Sequence, residues 1–161
     1  MRYLKTAFFS FFLTLAIQQP SLASGVPIAN DLQADYGAEG FNQTGEKKVV
    51  LLLVSQPGCS YCVQITEEII KPMIRSGSYE ETTLFREIEI NAGDSLKDFS
   101  GEEITSNSFA RRYNAWATPT LLFLDSTGNE LAEKMVGVNT LELYGYYVDK
   151  SLRNALKKLN P

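Results

Sequence analysis

Apolar positions along the chain fall into blocks with different periods. Val49-Val50-Leu51-Leu52-Leu53-Val54 is continuous, the pattern of a strand buried on both faces, and Ser55-Gln56-Pro57-Gly58 breaks it. Helical spacing follows in Tyr61, Ile65, Ile69 and Ile70, with Pro72 predicted to close the segment. Leu84 to Ile90 reads as a second strand, with Leu84, Ile88 and Ile90 on one face and Glu87 and Glu89 on the other. Residues 91–105 lack any period and read as an inserted loop. Ser106 then caps a short helix carrying Phe109, Ala110 and Tyr113. Thr120 to Asp125 predicts a third strand, Ser126-Thr127-Gly128-Asn129 a turn, and Glu130 to Val136 a returning hairpin strand. Leu141, Tyr144, Val148, Leu152, Ala155, Leu156 and Leu159 mark one face of a closing helix, and Lys157 and Lys158 suit its C-terminal end.

An early parallel strand–helix–strand unit with a late antiparallel hairpin implies an α/β fold. Its central mixed β-sheet is flanked by helices, with a loop insertion before the second main helix. Residues 24–45, polar and weakly amphipathic from Ile28 to Tyr36, read as a loose N-terminal arm or short helix leading into a domain at 46–161.

The N-terminus changes how the rest is read. Arg2 and Lys5 precede an apolar run from Ala7 to Ile17, and Ser21-Leu22-Ala23 places small residues at the cleavage-defining positions. Residues 1–23 are therefore expected to be a secretory signal peptide, the apolar run being far short of the ~20 residues a membrane span needs. Without them the formal charge moves from −4 to −6, because two of the 15 basic residues leave and none of the 19 acidic ones do. An acidic surface disfavours nucleic acid and anionic membrane as partners. An exported monomer is expected, periplasmic if the source has a periplasm.

Cys59 and Cys62 are the only 2 cysteines and there is no histidine. The pair sits three residues apart where the strand–loop gives way to the helix. Unpaired N–H groups and the positive end of the helix dipole there favour a thiolate at Cys59, so thiol–disulfide exchange leads. Half a zinc site fails on ligand count, and no metal or cofactor is expected. A structural disulfide remains an alternative, although so small a loop restricts the unfolded chain little. Two unreacting thiols fit poorly with export.

A Cys-x-x-Cys at a strand–helix junction, followed by Thr118-Pro119 opening a hairpin, resembles the thioredoxin fold, and the order of elements agrees along nearly the whole of the chain after residue 23. Within that superfamily three stretches resemble the SoxW-like periplasmic thioredoxins: Ser55 to Cys62; Asp98-Phe99-Ser100-Gly101-Glu102; and Ala110-Arg111-Arg112-Tyr113 with Ala117 to Asp125. The second stretch, in the insert, discriminates best. The resemblance implies a cis bond at Thr118–Pro119 facing the cysteines, in a loop that pairs its backbone with substrate. It implies that Cys59 attacks a partner disulfide, that Cys62 resolves the mixed disulfide, and that Ser60 and Tyr61 tune the thiolate and contact substrate. Typical thioredoxins bury an Asp six residues before the first Cys; Leu53 stands there, leaving Glu68 or a water for the second thiol's proton. Trp116 shields the site or belongs to the core.

The expected activity is reduction of disulfides in oxidised exported proteins, with a membrane thiol electron transporter as reductant. The alternatives are an oxidant or isomerase-like protein, or a binding module of the same fold with a structural disulfide.

Overall fold

The computed structural model describes residues 25–161, and the leader expected at 1–23 lies outside the described residues. The continuous apolar run forms β1, Val49–Ser55, with all seven residues buried. It is central in a four-stranded sheet of order β2-β1-β5-β6, where β2 is Thr83–Glu89, β5 Thr120–Leu124 and β6 Met135–Val136. β1 runs parallel to β2 and antiparallel to β5, so the sheet is mixed.

Strand alternation divides the core in two. Val50, Leu52, Val54, Leu84, Ile88, Leu122 and Leu124 face α1 (Leu32–Glu39) and α4 (Ser106–Arg112), packing with Leu32, Tyr36 and Phe109. Leu51, Leu53, Phe85, Leu121 and Phe123 face the opposite way. There they meet Ile65 and Ile70 of the helical segment after the cysteines, and Tyr144, Val148 and Leu152 of α5, Leu141–Leu159.

The helical segment is not closed by Pro72. It runs as α2 (Ser60–Ile65), a π-helical turn (Thr66–Ile70) and α3 (Lys71–Arg75). Pro72 has no N–H for the carbonyl four residues back, and the turn before it is widened, the Lys71 N–H reaching five residues back to the Thr66 carbonyl. One extra residue per turn absorbs the proline, and the helix continues.

Four further elements differ from their sequence patterns in whole or in part. Of the loose arm or short helix expected at 24–45, the structure has the short helix, α1, and the segment is packed down: Val26, Ala29, Leu32 and Tyr36 are buried, and buried Arg86 of β2 binds Asp35 and Glu39 of α1 at 2.8 Å each. The insert holds a hairpin, β3 (Ser95–Lys97) with β4 (Glu103–Thr105). Its turn is organised by Asp98, which accepts the Ser100 and Glu102 N–H groups at 2.8 and 3.1 Å and pairs with Arg112 of α4. Gly101 at φ +83° closes that turn, a value that glycine adopts without strain. Thr105, not Ser106, caps α4, its hydroxyl accepting the Ser108 N–H at 3.1 Å. The returning strand is confined to Met135–Val136; Glu130 makes a single bridge to Leu124, and the chain then turns Leu131 into the core.

Candidate active site

β1 ends at Ser55, and Gln56-Pro57-Gly58 turns the chain into α2. Gly58 has φ +75°, a left-handed conformation that a side chain would strain. Cys59 is the N-cap of α2, in extended conformation, and its Sγ accepts the Cys62 N–H at 3.1 Å. The two cysteines form a disulfide with a Cα–Cα distance of 5.2 Å. Cys59 is partly accessible and Cys62 is buried. One sulfur thus lies open to a partner at a helix start. The other lies against the sheet.

The remaining predicted site residues lie in α2 directly after Cys59 and in the loop that leads into β5. Ser60 is exposed, and Tyr61 presents an exposed ring with Val63 on the outer face of α2. Thr118 is partly exposed and Pro119 buried, and the bond between them is cis. Thr120, the next residue, is the register partner of Val54, so the proline loop stands at the same end of the sheet as the cysteine loop. The Pro119 carbonyl accepts the Gly137 N–H at 2.8 Å, which ties the loop to the end of β6. Trp116 is 75% exposed and so is no core residue.

Glu68 does not approach the cysteines from below. It is exposed on the helix and accepts from Gln64 at 3.2 Å. A different carboxylate lines the same cleft as the cysteines. Glu87 of β2 is the parallel register partner of Leu53, so both side chains rise from the face covered by the active-site helix. The alternation puts Glu87 and Glu89 on the face opposite Ile88 and Ile90, and that face lies under the helical segment that follows the cysteines. A Glu87 oxygen accepts the Ser55 hydroxyl proton at 2.6 Å. Burial pushes the Glu87 carboxyl above its ordinary value and nearby Glu89 adds to this, while the Ser55 hydroxyl and Lys71 oppose it. Ser55, Cys59, Cys62 and Glu87 line one cleft of about 210 Å³, together with the carboxylates of Glu67, which pairs with Lys71, and Glu89. A larger hollow of about 590 Å³ beside Phe41 and Tyr79 contains neither cysteine.

Among the described residues no group of three or more His, Cys, Asp or Glu side chains is placed to hold a metal ion. No helix among them is long and apolar enough to cross a membrane.

The sequence matches the thioredoxin-like domain family over residues 38–158. The chain belongs to that family. Its fold is shared with oxidised mitochondrial thioredoxin 3 from Saccharomyces cerevisiae, 13% identical over 80% of this chain and 94% of that one, TM-score 0.51. Thioredoxin from Malassezia sympodialis is similar to the same degree, 14% identical over 83% of this chain and 92% of the other, TM-score 0.51. A Schistosoma mansoni thioredoxin pre-protein, in its reduced form, is 16% identical over 81% and 97%, TM-score 0.50. No curated protein sequence matches the chain. At these identities the neighbours establish the thioredoxin fold, and the Cys59–Cys62 pair gives this member of the family the groups for thiol–disulfide exchange.

Proposed function

We propose that the protein is an exported dithiol–disulfide oxidoreductase that reduces disulfides in periplasmic proteins. The observation that carries this is the asymmetry of the cysteine pair: Cys59 caps a helix and is accessible, whereas Cys62 is buried one turn on. In the reduced protein the Cys62 N–H and the helix terminus stabilise a Cys59 thiolate. That thiolate attacks one sulfur of a partner disulfide and releases the partner's other sulfur as thiolate. Cys62, deprotonated, then attacks Cys59 Sγ, the partner's second sulfur leaves, and two electrons have passed to the partner. The exposed Tyr61, Val63 and Trp116 supply apolar surface for an unfolded or extended substrate, beside the Thr118–Pro119 loop.

The finer assignment, to SoxW-like periplasmic thioredoxins re-reduced by a membrane thiol transporter, rests on the three sequence stretches that resemble that group and on the secretory leader that the sequence of residues 1–23 leads us to expect. The lining of the cysteine cleft contains no cation among the described residues, so the Cys59 thiolate is stabilised mainly by backbone and helix terminus. A potential near that of thioredoxin, about −270 mV, follows.

The test is trapping together with potentiometry. Cys62→Ser should accumulate mixed disulfides with exported proteins, Cys59→Ser should not, and the wild type should reduce insulin when a chemical reductant is supplied. A potential above about −180 mV would instead make the protein an oxidant or isomerase. No trapped partner from either variant, with no insulin reduction, leaves only a binding module with a structural disulfide.

A further inference from the structure

Resolution of the mixed disulfide requires Cys62 to lose a proton, and Cys62 is buried above a sheet whose residue 53 is an apolar leucine. The register of the sheet offers a substitute on the next strand. Glu87 is opposite Leu53, on the same face, one strand over. Its backbone is held on both sides: β1 pairs along one edge, and on the other Glu87 N–H donates to the Pro27 carbonyl at 2.9 Å while Ala29 N–H donates to the Glu87 carbonyl at 2.8 Å. Its carboxyl is anchored by the Ser55 hydroxyl at 2.6 Å and lines the cleft that Cys62 also lines.

Resting on the exchange function above, we propose that Glu87 is the proton acceptor for Cys62, acting through water in this cleft and oriented by Ser55. A cleft of about 210 Å³ accommodates several waters, each occupying about 30 Å³. The Cys62 thiol proton passes to a cleft water as that water gives one to the Glu87 carboxylate. The Cys62 thiolate then forms the bond to Cys59 Sγ, the bond from Cys59 to the partner breaks, and the partner sulfur leaves with the electron pair. Glu87 returns its proton to solvent or to that leaving thiolate. A carboxyl lifted by burial is a stronger base than an exposed one, and so better matched to a thiol. The charged groups facing it set its operating range. Glu89, on its own strand, raises the carboxyl further; Lys71, from α3, lowers it but is itself paired with Glu67.

The experiment separates the two chemical steps on the full-length reduced protein. A single turnover with an aromatic disulfide that releases a coloured thiolate gives two phases: Cys59 attack releases the first thiolate, and Cys62 resolution the second. In Glu87→Gln the first phase is expected at the wild-type rate, which also reports a folded site. The second should slow about tenfold or more at neutral pH, the lower end of general-base effects because solvent can substitute. It should recover as pH rises and hydroxide takes over. Glu87→Asp should restore part of the rate, Ser55→Ala should slow the second phase alone, and Glu68→Gln should alter neither. Equal second phases in wild type and Glu87→Gln, equal slowing of both phases, or no recovery at high pH overturns the role of Glu87. A wild type that releases neither thiolate overturns the exchange function itself, a distinct result.

Discussion

Neutralising Asp98 tests whether charge holds the insert to the domain. The side chain is 6% exposed, and one of its oxygens takes the Ser100 N–H at 2.8 Å, the Ser100 hydroxyl at 2.7 Å and the Glu102 N–H at 3.1 Å. Its other oxygen takes Arg112. Burial alone would raise this carboxyl; the Ser100 hydroxyl, Arg112 and the two backbone donors outweigh it and bring the pKa from 3.8 down to about 2. A carboxyl lowered in the native state adds stability above its unfolded value and loses it as pH falls through the native one. The window therefore runs from about pH 4 to about pH 2. At 1.36 kcal/mol per unit the shift corresponds to roughly 2 kcal/mol. Arg112 is 45% exposed, so water and salt screen the pair and about 1–2 kcal/mol is expected. Asp98→Asn keeps an acceptor for the turn and loses the charge, so it should cost that amount near pH 7. Asp98→Ala loses the acceptor as well and should cost about 3 kcal/mol. Urea unfolding of the oxidised protein measures both. The gap between wild type and Asp98→Asn should close as the pH is lowered from about 4 to about 2. A gap that is absent at neutral pH, or that persists undiminished at the acid end, refutes the reasoning.

Arg86→Met should destabilise the oxidised protein by about 2–3 kcal/mol, because it strands Asp35 and Glu39 and loosens α1 from β2; their partial exposure keeps the cost below the 3–5 kcal/mol of a fully buried broken pair. Denaturant unfolding decides it, and a loss under about 1 kcal/mol would mean that α1 is held by Leu32 and Tyr36 alone. Tyr144→Phe should stabilise by about 1 kcal/mol, since the buried Tyr144 hydroxyl has no hydrogen-bond partner among the described residues. A thermal midpoint that falls instead would show that this hydroxyl is satisfied in solution.

What could be read from the sequence follows from how local each signal is. Val49–Val54 had to be a central strand, since six consecutive apolar residues have no polar face to offer water. Cys59 and Cys62 declared the site through spacing and through the helix they begin. The hairpin at 95–105 was hidden because its strands are three residues long and depend on Asp98 and on Arg112, which lies beyond them in the chain. The π turn was hidden because Pro72 normally ends helices, and only the widened turn before it shows how this one continues. Glu87 was passed over as a site residue for a reason of register. Alternating acids look solvated until the pairing of two strands fixes what packs above them, and Leu53 and Glu87 meet only through that pairing.

The backbone bonds that Pro27 and Ala29 make to Glu87 have a consequence for colloidal behaviour. A sheet with two open borders invites further strands, from its own kind or from the unfolded chains it would handle. Here the β2 border is occupied in part by residues 27–29, and the opposite border, β6, is two residues long. Neither offers a long template on which a foreign segment could propagate. A molecule whose proposed work brings it repeatedly against sticky, partly unfolded polypeptides can therefore engage them at the cysteine end while its sheet borders give aggregation little to build on.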